Sequence, residues 1–302
     1  MQDTRPRRSA LYMPGSNSRA LEKGKTLPVD TLIFDLEDSV ADEVKEKARD
    51  QVVETIRKRG FGHREVVMRV NAARTAFFEE DMTAAVAARP DAVLLSKVES
   101  TAEIYAAERH LRGRPETQGI SLWAMVETAR GLIDIDEIAA SVKKPEGHRL
   151  RGLVLGTNDI IRETRVKPGP DRLPVLAWVS RAVLAARASG LFILDGVYNE
   201  FTDLEGFEAE CAQGRAFGID GKTVIHPCQV EIANRLYGPS PEEIADAKAV
   251  IAAFEKPENH DKGVLALNGR MIERMHIEMA KRTLDIAGQI RAQSMTPEPA
   301  PI

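Results

Sequence analysis

An acidic segment directly follows a short apolar run near the start of the chain. In the stretch TLIFDLEDSV, the run of Leu, Ile and Phe gives way to Asp35, Glu37 and Asp38. Carboxylates at the end of a strand apolar enough to be buried suit metal binding, proton transfer or ion pairing. Because side chains alternate along a strand, Asp35 and Glu37 should share one face, whereas Asp38 begins the turn and favours a capping or ion-pair role.

Nearly every other apolar run in the chain also ends in an ionisable side chain. The residues at these positions are Pro14, Asp35 with Glu37, Arg69, Lys97, Glu127, Asp159, Asp195 and His226. Any single charge after a strand is typical of a solvated loop or a helix N-cap, an interpretation to which Asp159 and Asp195 are the most open. That interpretation does not explain why so many ionisable groups occupy matching positions, which favours a functional site.

Two of these carboxylates, Glu127 and Asp159, are separated by about one strand and one helix. Oxygen ligands without a His or Cys cluster are typical of Mg²⁺, which takes one or two carboxylates and leaves other positions to water and substrate. An arginine nearby, such as Arg69, can hold a substrate carboxylate bidentately or stabilise a developing oxyanion. The residues predict a Mg²⁺-assisted enzyme that acts on a small, oxygen-rich substrate bearing a carboxylate.

The elements that must position these groups alternate along the chain. Short β-branched runs are followed by segments of helical period, several of which stop at glycine, and this alternation is typical of a parallel sheet. Eight such units predict a (β/α)₈ TIM barrel, an α/β fold whose active sites lie at the C-terminal ends of the strands. An open doubly wound sheet is the alternative, but its glycine-rich phosphate motif is missing after the first strand. The predicted strands are 10–13, 31–37, 65–70, 92–98, 121–127, 150–156, 191–197 and 222–227.

Composition excludes several classes of function. The 42 basic and 46 acidic residues are spread along the 302-residue chain, so nucleic acid and membrane surfaces are poor candidate partners. No stretch approaches the roughly 18 apolar residues of a spanning helix, and Cys211 and Cys228 make neither a disulfide framework nor a zinc cluster. We expect a soluble, cytoplasmic protein with reduced thiols.

The C-terminal part predicts a helical extension. Ser240 before Pro241, with Glu243 three residues after the serine, is a helix-start signal, and the polar stretch 257–263 is a plausible hinge before a second helix over 270–293. The predicted organisation is a barrel over 1–238, a helical lid over 239–293 and a disordered Pro-rich tail over 294–302.

The order of several motifs resembles a known enzyme family. These motifs are RSALYMPGSNSRALEKG, IFDLEDSV, MRVN, MVETARG, LGTND, LDGVYNEFTDLEGF, DGKTVIHPCQV and LNGRMIE. They resemble, in register over residues 7–285, the citrate lyase β-subunit-like family of the HpcH/HpaI aldolase superfamily, which includes the malyl-CoA lyases. The resemblance implies a trimeric or hexameric TIM-barrel lyase that cleaves or forms a carbon–carbon bond between an acyl-CoA enolate and a 2-oxo acid.

The resemblance also implies roles for individual residues. Mg²⁺ would be held by Glu127 and Asp159, the pair already chosen from the strand ends, and substrate would contact Arg69. The barrel prediction, rather than the resemblance, suggests that Asp35 and Glu37 hold metal-bound waters and orient Arg69 or another basic neighbour. The residues implied for the CoA thioester are Tyr12, Pro14, Lys23, Asn158, Ile225 and His226.

One position departs from the family pattern. In the malyl-CoA lyases, an aspartate from a neighbouring subunit's C-terminal segment covers the barrel and acts as acid and base, whereas this chain has Glu273 in the matching stretch NGRMIERMHIEMAKR. The extra methylene displaces the carboxylate by about an ångström, which matters for a geometry that must be held tightly. We expect Glu273 to act in trans from a lid set farther back.

Several alternatives stay open at this point. The chain is compatible with a citrate lyase β subunit that works on an acyl-carrier-protein thioester in a complex, although the C-terminal lid favours a free-standing enzyme. A water beside Glu273 would instead make a malyl-CoA thioesterase. Glyoxylate and pyruvate differ by one methyl group, so the sequence does not identify the 2-oxo acid.

Overall fold

Eight parallel strands close into a barrel in the computed structural model, which describes residues 4–295. Each strand pairs with the next along the chain, and the eighth pairs with the first. All eight predicted strands are confirmed, with ends that differ by a few residues. The strands are β1 Ser9–Pro14, β2 Thr31–Asp35, β3 Glu65–Val70, β4 Ala92–Leu95, β5 Ser121–Val126, β6 Leu150–Leu155, β7 Phe192–Asp195 and β8 Gly221–Val224.

Helices surround the barrel and bury the outward-facing side of its strands. Both faces of each strand are therefore covered, which is why the strand segments read as nearly continuous apolar runs. None of the described helices is both long and apolar enough to cross a membrane. The helices of the barrel are α1 Ser18–Lys23, α2 Lys45–Arg57, α3 Phe78–Ala88, α4 Thr101–Leu111, α5 Ala129–Ile133, α6 Ile135–Ala140, α7 Thr157–Thr164, α8 Leu173–Ser189, α9 Leu204–Ala216 and α10 Val230–Tyr237.

An ion pair closes the N-terminal end of the barrel interior. Arg7 donates from Nε to Glu65 at 2.6 Å, and its guanidinium lies 4.1 Å from the centre of the Phe192 ring. Trp123 packs edge-on against the same phenylalanine, with ring centres 4.8 Å apart. Because this end is filled by buried side chains, a ligand reaches the barrel interior from the C-terminal end of the strands.

The C-terminal extension differs from its prediction at one point. The helix α11 Pro241–Glu255 begins with the predicted Ser240 cap, but a hairpin of two strands, β9 Val264–Leu267 and β10 Arg270–Glu273, precedes the last helix, α12 Met275–Met295. The prediction of a helix from residue 270 was therefore wrong over its first turn. Asn268 and Gly269 form the two-residue turn with φ of 50° and 76°, and an Asn-Gly pair is a strong hairpin signal that the sequence analysis missed. The tail was predicted to begin at residue 294, but Ser294 and Met295 still belong to α12, and the rest of the predicted tail lies outside the described residues.

Asp195 does not face the barrel interior, although it ends a strand. Phe192 and Leu194 of β7 point inward, so Asp195 points outward, where it pairs with Arg172 at 2.8 Å and with the wholly buried Lys222 at 3.2 Å. Burial opposes ionisation of Asp195, but the charges of Lys222 and Arg172 outweigh that effect and keep its pKa below the usual value. The residue stabilises the packing of β7 and β8 against the helices.

We expect the Asp195→Ala variant to lose about 3 kcal/mol of unfolding free energy, because it removes a wholly buried carboxylate from between Arg172 and Lys222 and leaves the Lys222 ammonium with Glu210, at 2.7 Å, as its carboxylate partner. Urea denaturation of wild type and variant measures the difference. Asp136→Ala is the matched control, since its pair with Arg181 at 3.2 Å is exposed and should contribute about 1 kcal/mol or less. Equal losses in the two variants would contradict the prediction.

Candidate active site

A cavity of about 310 Å³ opens at the C-terminal end of the barrel. Its walls come from the ends of strands distant in sequence and from the loops that follow them. Most of the residues predicted for the site share this one cavity. The predicted residues that line it are Tyr12, Asp35, Arg69, Glu127, Asn158, Asp159 and Ile225.

Three carboxylates in the cavity converge on one point. Asp38, Glu127 and Asp159 each offer an oxygen within 4.8 Å of the others. Glu127 is fully buried, and its Oε2 atom has no hydrogen-bond partner, whereas Oε1 accepts from the backbone N–H of Lys97 at 2.8 Å. A buried carboxylate oxygen without a donor is costly, so this arrangement fits a hard divalent cation bound by oxygen ligands.

The backbone beside Glu127 leaves room for this carboxylate. A Cβ atom on Gly156 would lie 2.3 Å from the Glu127 Cβ, so a glycine is required where β6 leads into α7. Burial, together with the nearby negative charge of Glu37, raises the pKa of Glu127 to about 8. Binding of a cation at neutral pH would therefore displace a proton from this carboxyl group.

Asp38 is the residue that the sequence analysis did not place in the site. The sequence suggested a cap or an ion pair for it, and the structure does show it 3.6 Å from Arg69 and 3.3 Å from Lys97. The loop after β2 also turns its carboxylate towards Glu127 and Asp159. The available signal was its place in a loop at the C-terminal end of a barrel strand, where functional residues concentrate.

Asp35 holds Arg69 through a bidentate ion pair inside the barrel. The two residues are directly paired in the β2–β3 register, and Nε and Nη2 of Arg69 each lie 2.6 Å from an Asp35 oxygen. Burial opposes ionisation of Asp35, but the Arg69 charge and hydrogen bonds outweigh that effect and hold its pKa below the usual value. Asp35 also accepts from the backbone N–H groups of Glu37 and Ser39, at 2.9 and 3.1 Å, which shapes the acidic loop.

The geometry restricts what Arg69 can do. Asp35 occupies the edge of the guanidinium formed by Nε and Nη2, so a substrate carboxylate could bind bidentately only at the Nη1 and Nη2 end, where Glu37 already pairs with Nη1. The Nη1 atom of Arg69 lies 3.0 Å from Glu37 and 3.9 Å from the Met125 sulfur, and the guanidinium lies 4.8 Å from the Tyr12 ring centre. Of the two roles considered from the sequence, stabilisation of an oxyanion by one N–H group fits this arrangement better.

The other residues predicted to contact CoA lie at or beyond the mouth of the cavity. Asn158 makes reciprocal amide hydrogen bonds of 3.0 and 2.9 Å with Asn199 across the mouth. The exposed His226 ring stacks on Phe201 at 4.7 Å, just after Ile225. The half-buried Pro14 ends β1 and the exposed Lys23 ends α1, and neither lines the cavity. CoA contact by these residues stays a prediction.

Glu273 does not line the cavity of its own chain. It lies on β10 of the extension, where its backbone N–H donates to His276 at 2.9 Å. Side-chain contacts that attach α12 to the barrel include Arg282, 3.1 Å from Asp220 just before β8, and Gln289, 2.6 Å from Thr4 before β1. These contacts are at the N-terminal ends of the strands, opposite the cavity.

Comparison with protein-family models gives two matches. Residues 8–227 match HpcH/HpaI aldolase/citrate lyase, and residues 172–289 match the C–C bond lyase of the TIM-barrel fold. The first match covers more than half of the chain and includes every residue of the cavity.

Individual relatives and solved structures extend this similarity over nearly the whole chain. The (3S)-malyl-CoA thioesterase of Cereibacter sphaeroides strain KD131 is 46% identical over 287 residues, 95% of this chain and 96% of the relative. The mitochondrial citramalyl-CoA lyase of Homo sapiens is 34% identical, over 95% of this chain and 87% of the relative. The structure of CitE from Mycobacterium tuberculosis in complex with magnesium, acetoacetate and coenzyme A has a TM-score of 0.74 and 29% identity, over 93% of this chain and 97% of that chain.

Proposed function

The chain belongs to the HpcH/HpaI aldolase/citrate lyase family of carbon–carbon lyases, and on that premise we propose that it is a Mg²⁺-dependent enzyme that hydrolyses a malyl-CoA-type thioester. The metal rests on one observation, the convergence of Asp38, Glu127 and Asp159 opposite Arg69 in a single cavity, and the substrate class is supported by the names of the most similar relatives. Hydrolysis as the net reaction is supported by the 46% identity to (3S)-malyl-CoA thioesterases, against 34% to a citramalyl-CoA lyase.

The carboxylate cluster fits the metal because its donors are hard oxygens and one of them, Glu127 Oε2, is buried without a partner. Glu127, Asp159 and Asp38 would hold the ion, which the solved CitE structure also contains. When bound, Mg²⁺ acts as a Lewis acid on the hydroxyl and carboxylate oxygens at the acyl end of the substrate.

Side chains of the protein then transfer the proton and stabilise the charge that hydrolysis requires. A carboxylate base takes a proton from a water molecule as that water attacks the thioester carbonyl carbon. Arg69 donates from Nη1 to the oxyanion that develops on the carbonyl oxygen, in a buried place where such a hydrogen bond is strong. The carbon–sulfur bond breaks, the thiolate of CoA receives the proton, and the free hydroxy acid leaves.

We assign the base to Glu273 of a neighbouring subunit. In its own chain Glu273 does not line the cavity, and the extension attaches at the opposite end of the barrel. The extension also exposes an apolar surface that a second copy would cover, formed by Val264, Met271, Met275 and Met279. A homo-oligomer in which this extension reaches the next barrel would bring Glu273 to a cavity and would cover the exposed apolar surface.

Carbon–carbon cleavage is the second candidate reaction, favoured by the family and by the citramalyl-CoA lyase relative. The same base would remove the proton of the substrate hydroxyl group, the carbon–carbon bond would break, and Arg69 would stabilise the thioester enolate before its protonation. The products would be a shorter acyl-CoA and a 2-oxo acid.

Product analysis distinguishes the two reactions. Purified protein with Mg²⁺ and (3S)-malyl-CoA should release malate and free CoA in equal amounts, measured by mass spectrometry and a thiol reagent. Acetyl-CoA and glyoxylate in equal amounts would establish cleavage instead. Neither pair of products, with the metal shown to be bound, would refute the malyl-CoA substrate class. A sample treated with EDTA serves as the control for metal dependence.

We expect Asp38→Asn to weaken Mg²⁺ binding by about tenfold, because the neutral amide offers a poorer ligand and less charge than the carboxylate. Isothermal titration calorimetry measures this affinity. The control is Asp42→Asn, an exposed acid of the same loop. Wild-type affinity in Asp38→Asn would mean that Asp38 belongs only to the ion pairs with Arg69 and Lys97.

A further inference from the structure

Lys97 occupies an unusual position at the C-terminal end of β4. Its backbone has φ of 52°, in the left-handed region that residues with a Cβ atom rarely adopt. The site takes no ligand from this residue in the function proposed above. Strained backbone conformations are common at functional sites, so we considered what Lys97 does in this position.

The left-handed conformation aims both the backbone and the side chain of Lys97 at the acidic groups. Its N–H donates to Glu127 Oε1 at 2.8 Å, on the side of the carboxylate away from the unpartnered Oε2. Its Nζ donates to Glu37 and, at 3.3 Å, to Asp38. One residue therefore contacts three of the carboxylates around the cavity.

The position of Asp38 allows it to interact with two kinds of cation, a divalent metal ion and the Lys97 ammonium. Its carboxylate belongs to the cluster with Glu127 and Asp159, which fits a divalent ion, and it also pairs with the Lys97 ammonium. The Lys97 chain is long and flexible, and its charge is a compact point that is easily hydrated. Its side chain is 18% exposed, so the ammonium can move towards solvent.

We propose that Lys97 is an internal counter-cation, whose ammonium holds Asp38 and Glu37 in place before metal binds and competes with the divalent ion for Asp38. Its backbone N–H meanwhile orients Glu127 so that Oε2 points to the ion. The inference rests on the metal site of the proposed function. Lys97 is a positioning residue that acts through these carboxylates and lowers the affinity for the metal.

Whether replacement of Lys97 strengthens or weakens Mg²⁺ binding distinguishes this role from a merely structural one. Lys97→Met keeps the length of the side chain and removes its charge, so we expect Mg²⁺ to bind about tenfold more tightly by calorimetry, since one repelling charge near the ion is lost. A residue that only maintained the shape of the loop would show weaker binding when replaced. Lys97→Arg keeps the charge and should stay close to wild type.

A second variant and a second measurement control for the possibility that Lys97→Met misfolds. Lys97→Gly also removes the ammonium and accepts the left-handed backbone without strain, so it too should bind Mg²⁺ more tightly. In thermal unfolding, the same fixed concentration of Mg²⁺ should raise the Tm of Lys97→Met by more than it raises the Tm of wild type. The control Lys58→Met removes an exposed lysine that pairs with Glu54 at 2.8 Å and should change neither quantity.

The outcomes are distinct. Unchanged or weaker Mg²⁺ binding in both Lys97→Met and Lys97→Gly would overturn the counter-cation role while leaving the metal site intact. Wild-type protein that binds no Mg²⁺ at all would overturn both this inference and the metal site of the proposed function.

Discussion

Glu127→Gln is expected to lose Mg²⁺ affinity by at least about 100-fold and to lose nearly all activity, because the buried carboxylate is the central ligand of the cluster. The amide keeps the shape of the side chain but removes the charge, and its N–H₂ group would point donors towards the cation. Calorimetric titration with Mg²⁺ and an assay with malyl-CoA at saturating metal measure the two effects separately.

The raised pKa of Glu127, about 8, supplies an independent signature of this assignment. Below that pH the metal-free carboxyl group is mostly protonated, so Mg²⁺ binding releases a proton and the affinity rises with pH up to about 8 in the wild type. Glu127→Gln should lose this proton release. Glu99→Gln, at the same end of the barrel but paired with Arg74 at 3.6 Å, is the matched control. Full metal affinity in Glu127→Gln would refute the cluster as the metal site.

Glu273→Gln is expected to lower kcat by about 10²–10⁴-fold and to leave KM for the CoA ester nearly unchanged, because the carboxylate moves a proton and does not bind the ester. Steady-state kinetics with malyl-CoA measure both constants. The exposed Glu278 of α12 is the control, and Glu278→Gln should behave as wild type. Near-normal kcat in Glu273→Gln would remove this residue from the mechanism.

Mixing the two inactive variants tests whether Glu273 acts in trans. In a mixed oligomer, a Glu273→Gln chain supplies an intact cavity and a Glu127→Gln chain supplies an intact extension, so some sites are complete. Random assembly of equal amounts in a closed ring should restore about one quarter of the wild-type activity. If Glu273 served the cavity of its own chain, every site would carry one defect and the mixture would remain inactive.

The barrel was predictable from the sequence because its signals are local. Each strand is an apolar run covered on both faces, and each ends where an ionisable or turn-forming residue interrupts it. The positions of Glu127, directly after β5, and of Asp159, in the first turn of α7 just beyond β6, followed from the same pattern. The hairpin before α12 was equally local, signalled by Asn268-Gly269, and was missed because the helical pattern around it was given more weight.

Other features of the site depend on distances between segments that are far apart in the sequence. Asp35 and Asp195 both end strands, yet one points inward to Arg69 and the other outward to Lys222. A change of one residue in strand register would exchange these faces. The place of Asp38 in the carboxylate cluster depends likewise on the path of a loop, which sequence patterns do not specify.

By itself, the sequence determined that the chain folds as a (β/α)₈ barrel with an extension, that acidic and basic groups gather at one end, and that the family is that of citrate lyase β-like enzymes. These properties follow from periodicity and from motifs in order. The tertiary structure alone decided that Arg69 is bonded to Asp35 and that Glu273 lies off the cavity of its own chain. The physical reason is that an ion pair or a shared ligand forms only where the closed sheet and its loops bring separate segments within a few ångströms.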